Sequence, residues 1–235
     1  MLNILYADDY LASVDKPAGL LVHRTGLDAG EHRFALQMLR DQLGRAVWPV
    51  HRLDKGTSGV LVFALSAEVA RALAQAFEQG EGLQKRYRAM VRGWPADEQR
   101  IDHPLRRLPD DQRDQREPVQ TALTQLHTRR RGVLPIPQGD FPSLRWAEVV
   151  LQPFTGRRHQ LRRHMKHIAH PVLGDATHGK GPLNRAVAEW LGVHRLWLHA
   201  EQLTLTHPVT GQALTIEAPL GEEWARWPRA DSRPA

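Results

Sequence analysis

Runs of apolar residues along the chain predict a sheet-rich fold with a few short helices. Residues 59–65 form a continuous apolar run of strand length, which is typical of a buried central strand. Residues 4–7 and 11–15 predict two short strands joined by a turn. Residues 196–206 and 213–218 predict a hairpin-like pair near the end of the chain.

Other segments alternate or repeat with clear periods. Tyr87, Ala89 and Val91 alternate with arginines, which predicts a half-buried strand with a basic outer face. Strands are also predicted at residues 122–126 and 146–151. Apolar positions at helical spacing, with glycine, serine or proline at the ends, predict helices over residues 36–43, 66–80, 161–168 and 182–191.

The remaining segments are rich in charge or proline. Residues 104–120 and 128–145 are predicted to be loops around the strand at 122–126. The end of the chain from Trp227 onward has two prolines and no apolar periodicity, so it is predicted to fray. We therefore expect a single domain over residues 1–227 and a flexible tail over residues 228–235.

The mixture of many strands with a few helices predicts the fold class. Strands and helices do not alternate regularly, which argues against a parallel α/β sheet. We expect an α+β domain with a large mixed, mostly antiparallel sheet and flanking helices.

Composition narrows the possible chemistry. The 235 residues include no cysteine, which excludes disulfides, thiolate zinc sites and cysteine nucleophiles. The N-terminus lacks a signal-like apolar core and no stretch is long enough to span a bilayer, so a cytoplasmic protein without membrane association is expected. The net charge of +6 and the clusters at Arg129–Arg131 and residues 157–166 favour a polyanionic partner. A solvated basic face is the alternative.

The most specific chemical signal lies just before the central strand. Residues 51–62 place Arg52, Asp54, Thr57 and two glycines ahead of the apolar run. A carboxylate there would be presented at the edge of a sheet. The simpler interpretation is that Asp54 caps a turn through its side chain.

This segment and three others resemble the RluA-type pseudouridine synthases. His51-Arg52-Leu53-Asp54 with the following Thr-Ser-Gly matches the central motif of that family. Similar family segments occur at residues 15–19, where Asp15 replaces the more usual asparagine, at residues 85–93 and at residues 155–162. The resemblance implies the pseudouridine synthase fold, in which a central cleft crosses the sheet.

The resemblance also implies a reaction that needs no cofactor. The bond from ribose C1′ to uracil N1 breaks, the base turns, and C5 takes the place of N1. By resemblance, Asp54 attacks the sugar, Arg162 is its counter-charge, and Tyr87 stacks on the uracil and accepts the C5 proton. The alternatives of a C1′ adduct and a glycal intermediate both stay open.

RNA binding is implied for further residues of the same motifs. A uridine inside a helix must be flipped out before it can react. By resemblance, Arg52 fills the gap that the base leaves, since a guanidinium can stack on bases and bind phosphates. The other predicted substrate-binding residues are His51, Thr57, Arg158, His159 and Gln160.

The alternative function classes are a noncatalytic RNA-binding module and a metal-dependent hydrolase. His164, His167 and His170 could suggest a metal, but a spacing of three drifts around a helix and lacks an accompanying carboxylate. We therefore expect these histidines on the surface, facing solvent or RNA, and no metal site.

Departures from the common family wording indicate the RNA target. His178 stands where many relatives have tyrosine, and residues 167–171 also depart from the usual sequence. With residues 22–24 and 37–42, they resemble the branch that modifies a tRNA uridine at the base of the T stem, uridine-65. Ribosomal RNA, alone or together with tRNA, is the alternative target. A monomer is expected.

Overall fold

The computed structural model describes residues 1–23, 30, 32–80, 82–107 and 118–229. Its α-helices are α1 (Ala35–Leu43), α2 (Ala67–Gln79), α3 (Gln160–His167) and α4 (Gly181–Leu191). Its strands are β1 (Asn3–Ala7), β2 (Leu11–Lys16), β3 (Trp48–Pro49), β4 (Ser58–Ala64), β5 (Gln84–Arg92), β6 (Glu98–Asp102), β7 (Leu105–Arg106), β8 (Val119–Gln120), β9 (Leu123–Leu134), β10 (Leu144–Pro153), β11 (Leu198–Thr206) and β12 (Ala213–Glu217). A short 3-10 helix spans Glu222–Arg226.

Ten of the strands form one mixed sheet in the order β1-β2-β4-β11-β5-β10-β9-β6, with β12 on β11 and β3 on β4. β11 runs parallel to β4 and antiparallel to β5 and β12. The large, mostly antiparallel sheet with flanking helices confirms the predicted fold class. Strands β7 and β8 form a separate two-stranded sheet.

β4 is the buried centre of one half of this sheet, as its apolar run predicts. All seven of its residues are buried. Leu61 and Phe63 pack with Leu39 of α1, whereas Val62 packs with Leu73 of α2. The strand is therefore covered by a helix on each face, which is why its sequence is apolar throughout and does not alternate.

Gly59 allows β4 to approach β11 closely. Its φ is +106°, and a Cβ atom built there would lie 2.2 Å from the carbonyl oxygen of Ala200. A side chain would therefore clash with the neighbouring backbone and would also require an unfavourable φ. The glycine fixes the start of β4, directly after the Asp54 loop.

The prediction of a loop over residues 128–145 holds for residues 135–143 but was wrong for residues 128–134 and 144–145, which belong to β9 and β10. β9 continues to Leu134 and pairs with β10 along most of its length. The run of arginines made this segment look like a loop, but their charges are compensated by carboxylates from other parts of the chain. Arg130 pairs with the buried Glu148 of β10, and Arg131 pairs with Asp97. β6, rich in polar residues, was also not predicted.

The end of the domain is better packed than its sequence indicates. Trp227 is buried, and its ring centroid lies 5.2 Å from that of Trp146 and 5.3 Å from that of Trp197. The carbonyl oxygen of Pro228 accepts a hydrogen bond from Arg130. The predicted fraying at Trp227 was therefore wrong, and residues 230–235 of the predicted tail lie outside the described residues.

Two other predictions are tested only in part. The predicted loop at 104–120 contains the short strands β7 and β8, and its residues 108–117 lie outside the described residues. Of residues 22–24, Arg24 lies outside them as well. Among the helices that the structure describes, none is long and apolar enough to cross a membrane.

Candidate active site

A buried lysine, Lys16, stabilises the loop that carries Asp54. The ammonium group of Lys16 donates hydrogen bonds to the carbonyl oxygens of Pro17, Leu20 and Lys55 at 2.9, 2.7 and 3.2 Å. Burial lowers the pKa of Lys16 to about 7, although the nearby Asp54 carboxylate opposes this shift. The amide of Thr57 donates to the Asp54 carbonyl at 3.0 Å, which closes the loop into a turn.

Asp54 meets Arg162 although 108 residues separate them in the chain. Nη1 of Arg162 donates to Oδ2 of Asp54 at 2.9 Å. The Arg162 side chain is 9% exposed and that of Asp54 is 20% exposed. The contact is therefore shielded from bulk water, but the carboxylate remains open to a ligand.

Asp175 is the site residue whose role the sequence did not reveal. Its carboxylate accepts two bonds of 2.7 Å from Nε and Nη2 of Arg162. Burial opposes ionisation of Asp175, but the Arg162 bonds and the backbone N–H groups of Thr177 and His178 lower its pKa below the ordinary value. Arg162 is correspondingly harder to deprotonate, because both carboxylates raise its pKa against the effect of burial.

Gly174 allows the backbone conformation that brings Asp175 to Arg162 of α3. A Cβ atom at Gly174 would lie 1.8 Å from the Arg195 carbonyl oxygen, and φ is +78°. Only glycine fits this position without moving the backbone. This glycine next to an aspartate was the available signal in the sequence, but the spacing gave no indication of which cation the carboxylate would bind.

Tyr87, on β5, lines one cavity together with Asp54 and Arg162. Burial, and secondly the negative charge of Asp54, raise the pKa of its phenol above the ordinary value. The hydroxyl is therefore protonated at neutral pH. A neutral phenol can donate a hydrogen bond and can offer an aromatic face to a base.

His159 approaches the other oxygen of Asp54. Its Nε2 lies 3.8 Å from Oδ1 of Asp54, and its Nδ1 lies 3.1 Å from Nε2 of His178. Burial lowers the pKa of His159 to about 4, against the opposing effect of Asp54. Burial also lowers the pKa of His178.

A cavity of about 430 Å³ brings together all nine site residues that the sequence predicted. The nine are His51, Arg52, Asp54, Thr57, Tyr87, Arg158, His159, Gln160 and Arg162. Their shared location fits one binding site, whereas their individual roles stay predictions. The cavity is also lined by Lys85, Arg107, Gln120 and Arg157, which had not been assigned to the site.

His51 makes close contacts with neighbouring groups of the protein. The His51 ring stacks on Phe77 at 4.6 Å, and its Nε2 accepts a hydrogen bond from the amide of Val62. Burial lowers the pKa of His51 to about 3, so the ring is neutral. The His51 ring therefore lines the cavity with only part of its surface.

Gln160 uses both ends of its amide to connect the loop before α3 to β9. Its Oε1 accepts from the Thr155 hydroxyl and the Arg157 amide, and its Nε2 donates to Leu123 and Thr124. These bonds hold the ends of the 155–160 segment together. The geometry favours a positioning role for Gln160 at the edge of the cavity.

The prediction that His164 lies on the surface was wrong. It is fully buried, and its two ring nitrogens lie 3.0 Å from the Thr124 hydroxyl and the His103 carbonyl oxygen. His164 is buried because its side chain faces β9, whereas His167 on the same helix is exposed. In the part of the chain that the structure describes, no group of three or more His, Asp or Glu side chains is arranged to hold a metal ion.

Comparisons with known proteins agree with this site. A family model described as RNA pseudouridylate synthase matches residues 10–167. The chain is 46% identical over 228 residues to tRNA pseudouridine synthase C of Vibrio cholerae, covering 95% of this chain and 93% of that protein. It is 48% identical over 227 residues to the protein of the same name from Pasteurella multocida, with the same coverage.

The fold agrees as well. The solved structure of human RNA Pseudouridylate Synthase Domain Containing 1 superposes with a TM-score of 0.71 at 26% identity, covering 93% of this chain and 83% of that one. The motifs around Asp54, the family model and these relatives lead to one conclusion. The chain belongs to the RluA-type family of RNA pseudouridine synthases, which are isomerases.

Proposed function

We propose that this protein converts one uridine of tRNA to pseudouridine, at position 65 at the base of the T stem. The observation that carries the proposal is the Asp54–Arg162 pair in a cavity that Tyr87 also lines. The tRNA substrate is supported by the relatives at 46% and 48% identity, which are named as tRNA pseudouridine synthases. Such an enzyme would work in the cytoplasm. A monomer would suffice, since all nine predicted site residues belong to one chain.

Asp54 is the group proposed to act on the ribose. The N1–C1′ bond breaks with oxocarbenium-like charge on the sugar, and a carboxylate can stabilise or trap such a carbon, as in retaining glycosidases. It would add to C1′, or it would remove a sugar proton to give a glycal. Both routes require an ionised carboxylate, and Nη1 of Arg162 donates a charge-assisted hydrogen bond to it at 2.9 Å.

Tyr87 is proposed to act on the base. After the uracil turns, a C5–C1′ bond forms, C5 loses its proton and N1 gains one, so the overall change is an isomerisation. The aromatic ring would stack on the uracil. Because the phenol is neutral, it would give its own proton to the Asp54 carboxylate, which lines the same cavity, as it accepts the proton from C5.

Arg52 is proposed to take the place of the flipped uridine in the RNA stem. It is exposed and lies two residues before Asp54 on the rim of the same cavity. Its guanidinium could stack between bases. Thr57, Arg158 and His159 would contact the flipped nucleotide, with His51 and Gln160 supporting the cavity wall.

Tritium release from RNA labelled at uracil C5 tests the reaction directly. The protein should release tritium without cutting the strand, and Asp54→Asn should reduce the rate by about 10⁴-fold or more because the amide cannot act as the nucleophile. Asp41→Asn, at an exposed position on α1, is the matched control and should keep full activity. An active Asp54→Asn enzyme would refute the assignment.

The RNA target requires a separate measurement. Pseudouridine should be mapped in the tRNA and ribosomal RNA of cells with and without this protein. Loss of the modification at tRNA position 65 alone supports the proposal. Loss at a ribosomal position would instead favour the alternative target within the same family.

A further inference from the structure

His159 has an unusual backbone conformation for a residue with a side chain. Its φ is +54° and ψ is +24°, in the left-handed region, immediately before α3 begins. Residues other than glycine are disfavoured in this region, although histidine tolerates it better than most. Such positions persist where the surrounding structure holds them, and they cluster at functional sites.

This conformation accompanies a series of three side chains, of which the two histidines are within hydrogen-bond distance. Nε2 of His178 lies 3.1 Å from Nδ1 of His159, and Nε2 of His159 lies 3.8 Å from Oδ1 of Asp54. Arg162 binds the other carboxylate oxygen, Oδ2. The two oxygens of the proposed nucleophile therefore face two different groups.

The direction of the hydrogen bonds follows from charge. Burial keeps both rings neutral near pH 7, so each ring carries a single N–H. An ionised carboxylate can only accept, so the electrostatically favourable tautomer of His159 has its hydrogen on Nε2. Its Nδ1 must then accept, and the donor is the Nε2–H of His178. We assign the tautomers on this basis.

Asp175 fixes both sides of this arrangement. Its carboxylate accepts from the backbone amide of His178 at 2.9 Å while it also binds Arg162. Asn184 donates to the Asp175 carbonyl at 2.8 Å and so holds the same turn. One buried carboxylate thus orients the guanidinium at Oδ2 and the turn that carries His178, the histidine that contacts His159.

We propose that His159 is a positioning residue for the Asp54 carboxylate, and that His178 holds His159 in the tautomer whose Nε2–H faces Oδ1. This inference rests on the proposed function. A carboxylate held at one oxygen can rotate about its Cβ–Cγ bond, whereas two donors fix its plane. Seating the uridine would exclude water and shorten the 3.8 Å separation, so that the carboxylate is aligned with the ribose when it reacts.

The first test separates hydrogen bonding from packing at position 178. His178→Phe keeps a ring but removes the donor, so we expect the single-turnover rate at saturating RNA to fall about ten- to a hundredfold with the RNA Kd unchanged. His178→Gln can still donate from its amide and should restore most of the rate. His194→Phe, at an exposed histidine outside the cavity, is the matched control.

The second test asks whether His178 acts through His159. His159→Gly relieves the left-handed backbone, so it should keep or raise the Tm while losing activity. In that background, His178→Phe should have no further effect on the rate. Full activity of His159→Gly, equal rates for His178→Phe and His178→Gln, or additive effects would each overturn the proposal. Failure of the proposed function would appear differently, as absence of turnover by the wild-type protein.

Discussion

Arg162 binds Asp175 through two parallel hydrogen bonds of 2.7 Å, and this pair fixes the orientation of the whole guanidinium group. Because the guanidinium is planar and rigid, fixing Nε and Nη2 also fixes the direction of Nη1. Nη1 is the atom that donates to Asp54. Asp175 therefore controls the proposed nucleophile without contacting it.

Replacing Asp175 with asparagine should uncouple this arrangement. The amide cannot accept both guanidinium bonds and leaves Arg162 with one charged partner. Breaking a buried pair from one side costs about 3–5 kcal/mol, and we expect the lower end because Asp54 remains. Urea unfolding and single-turnover assays should both show a loss. Asp102→Asn, at an exposed strand position, is the control, and an Asp175→Asn enzyme with normal turnover would contradict this prediction.

Tyr87→Phe should separate stacking from proton transfer. The ring remains, so RNA affinity should stay close to wild type, but the hydroxyl is lost. We expect turnover to fall by about 10²–10⁴-fold, the range for loss of a proton-transferring group. Tyr10→Phe, at an exposed tyrosine, controls for the loss of a hydroxyl elsewhere. Normal turnover by Tyr87→Phe together with failure of Tyr87→Leu would show a stacking platform only.

The outer face of α3 should contribute to RNA affinity through charge. Lys166 is exposed and Arg163 is partly exposed beside it, whereas Arg162 faces inward. If each binds a phosphate, alanine at either position should reduce the slope of log Kd against log salt by about 1. Turnover at saturating RNA should change little. Arg71→Ala on α2 is the control, and an unchanged salt slope for both α3 variants would place the RNA elsewhere.

Acid sensitivity of the fold should depend on Glu148. Burial opposes its ionisation, but ion pairs with Arg130 and Arg88 lower its pKa below the ordinary 4.5. A lowered folded-state pKa stabilises the fold above the unfolded-state value, and this contribution is lost as the pH falls through the folded-state pKa. The free energy of unfolding should therefore fall as the pH drops below the ordinary 4.5 and through the lower folded-state pKa, and it should fall less steeply in Glu148→Gln.

The control for this measurement is Glu189→Gln, at an exposed position on α4. It should keep the wild-type dependence on pH. If Glu148→Gln and wild type lost stability in parallel, the ion pairs in the sheet would not be the origin of the acid sensitivity.

Local sequence patterns determined much of the fold. The apolar run of β4 and the helix from Ser66 to Gly80 were predictable because burial periodicity and helix caps act over a few residues. Ser66 does cap α2 by accepting from the Val69 amide, and Gly80 ends it in a left-handed conformation. The motifs around Asp54, Tyr87 and Arg162 likewise identified the candidate site, since each motif is continuous in the chain.

Long-range partners were decided only by the tertiary structure. The charged strand β9 exists because Arg130 meets Glu148 on a neighbouring strand, and His164 is buried because its two nitrogens meet Thr124 and His103. A local sequence pattern cannot show these pairings. Burying a charge or a ring nitrogen costs free energy unless it has a partner, and here the partner lies far away in the sequence. The same holds for Asp175. The sequence determined which groups could do the chemistry, and the fold decided which of them hold one another in place.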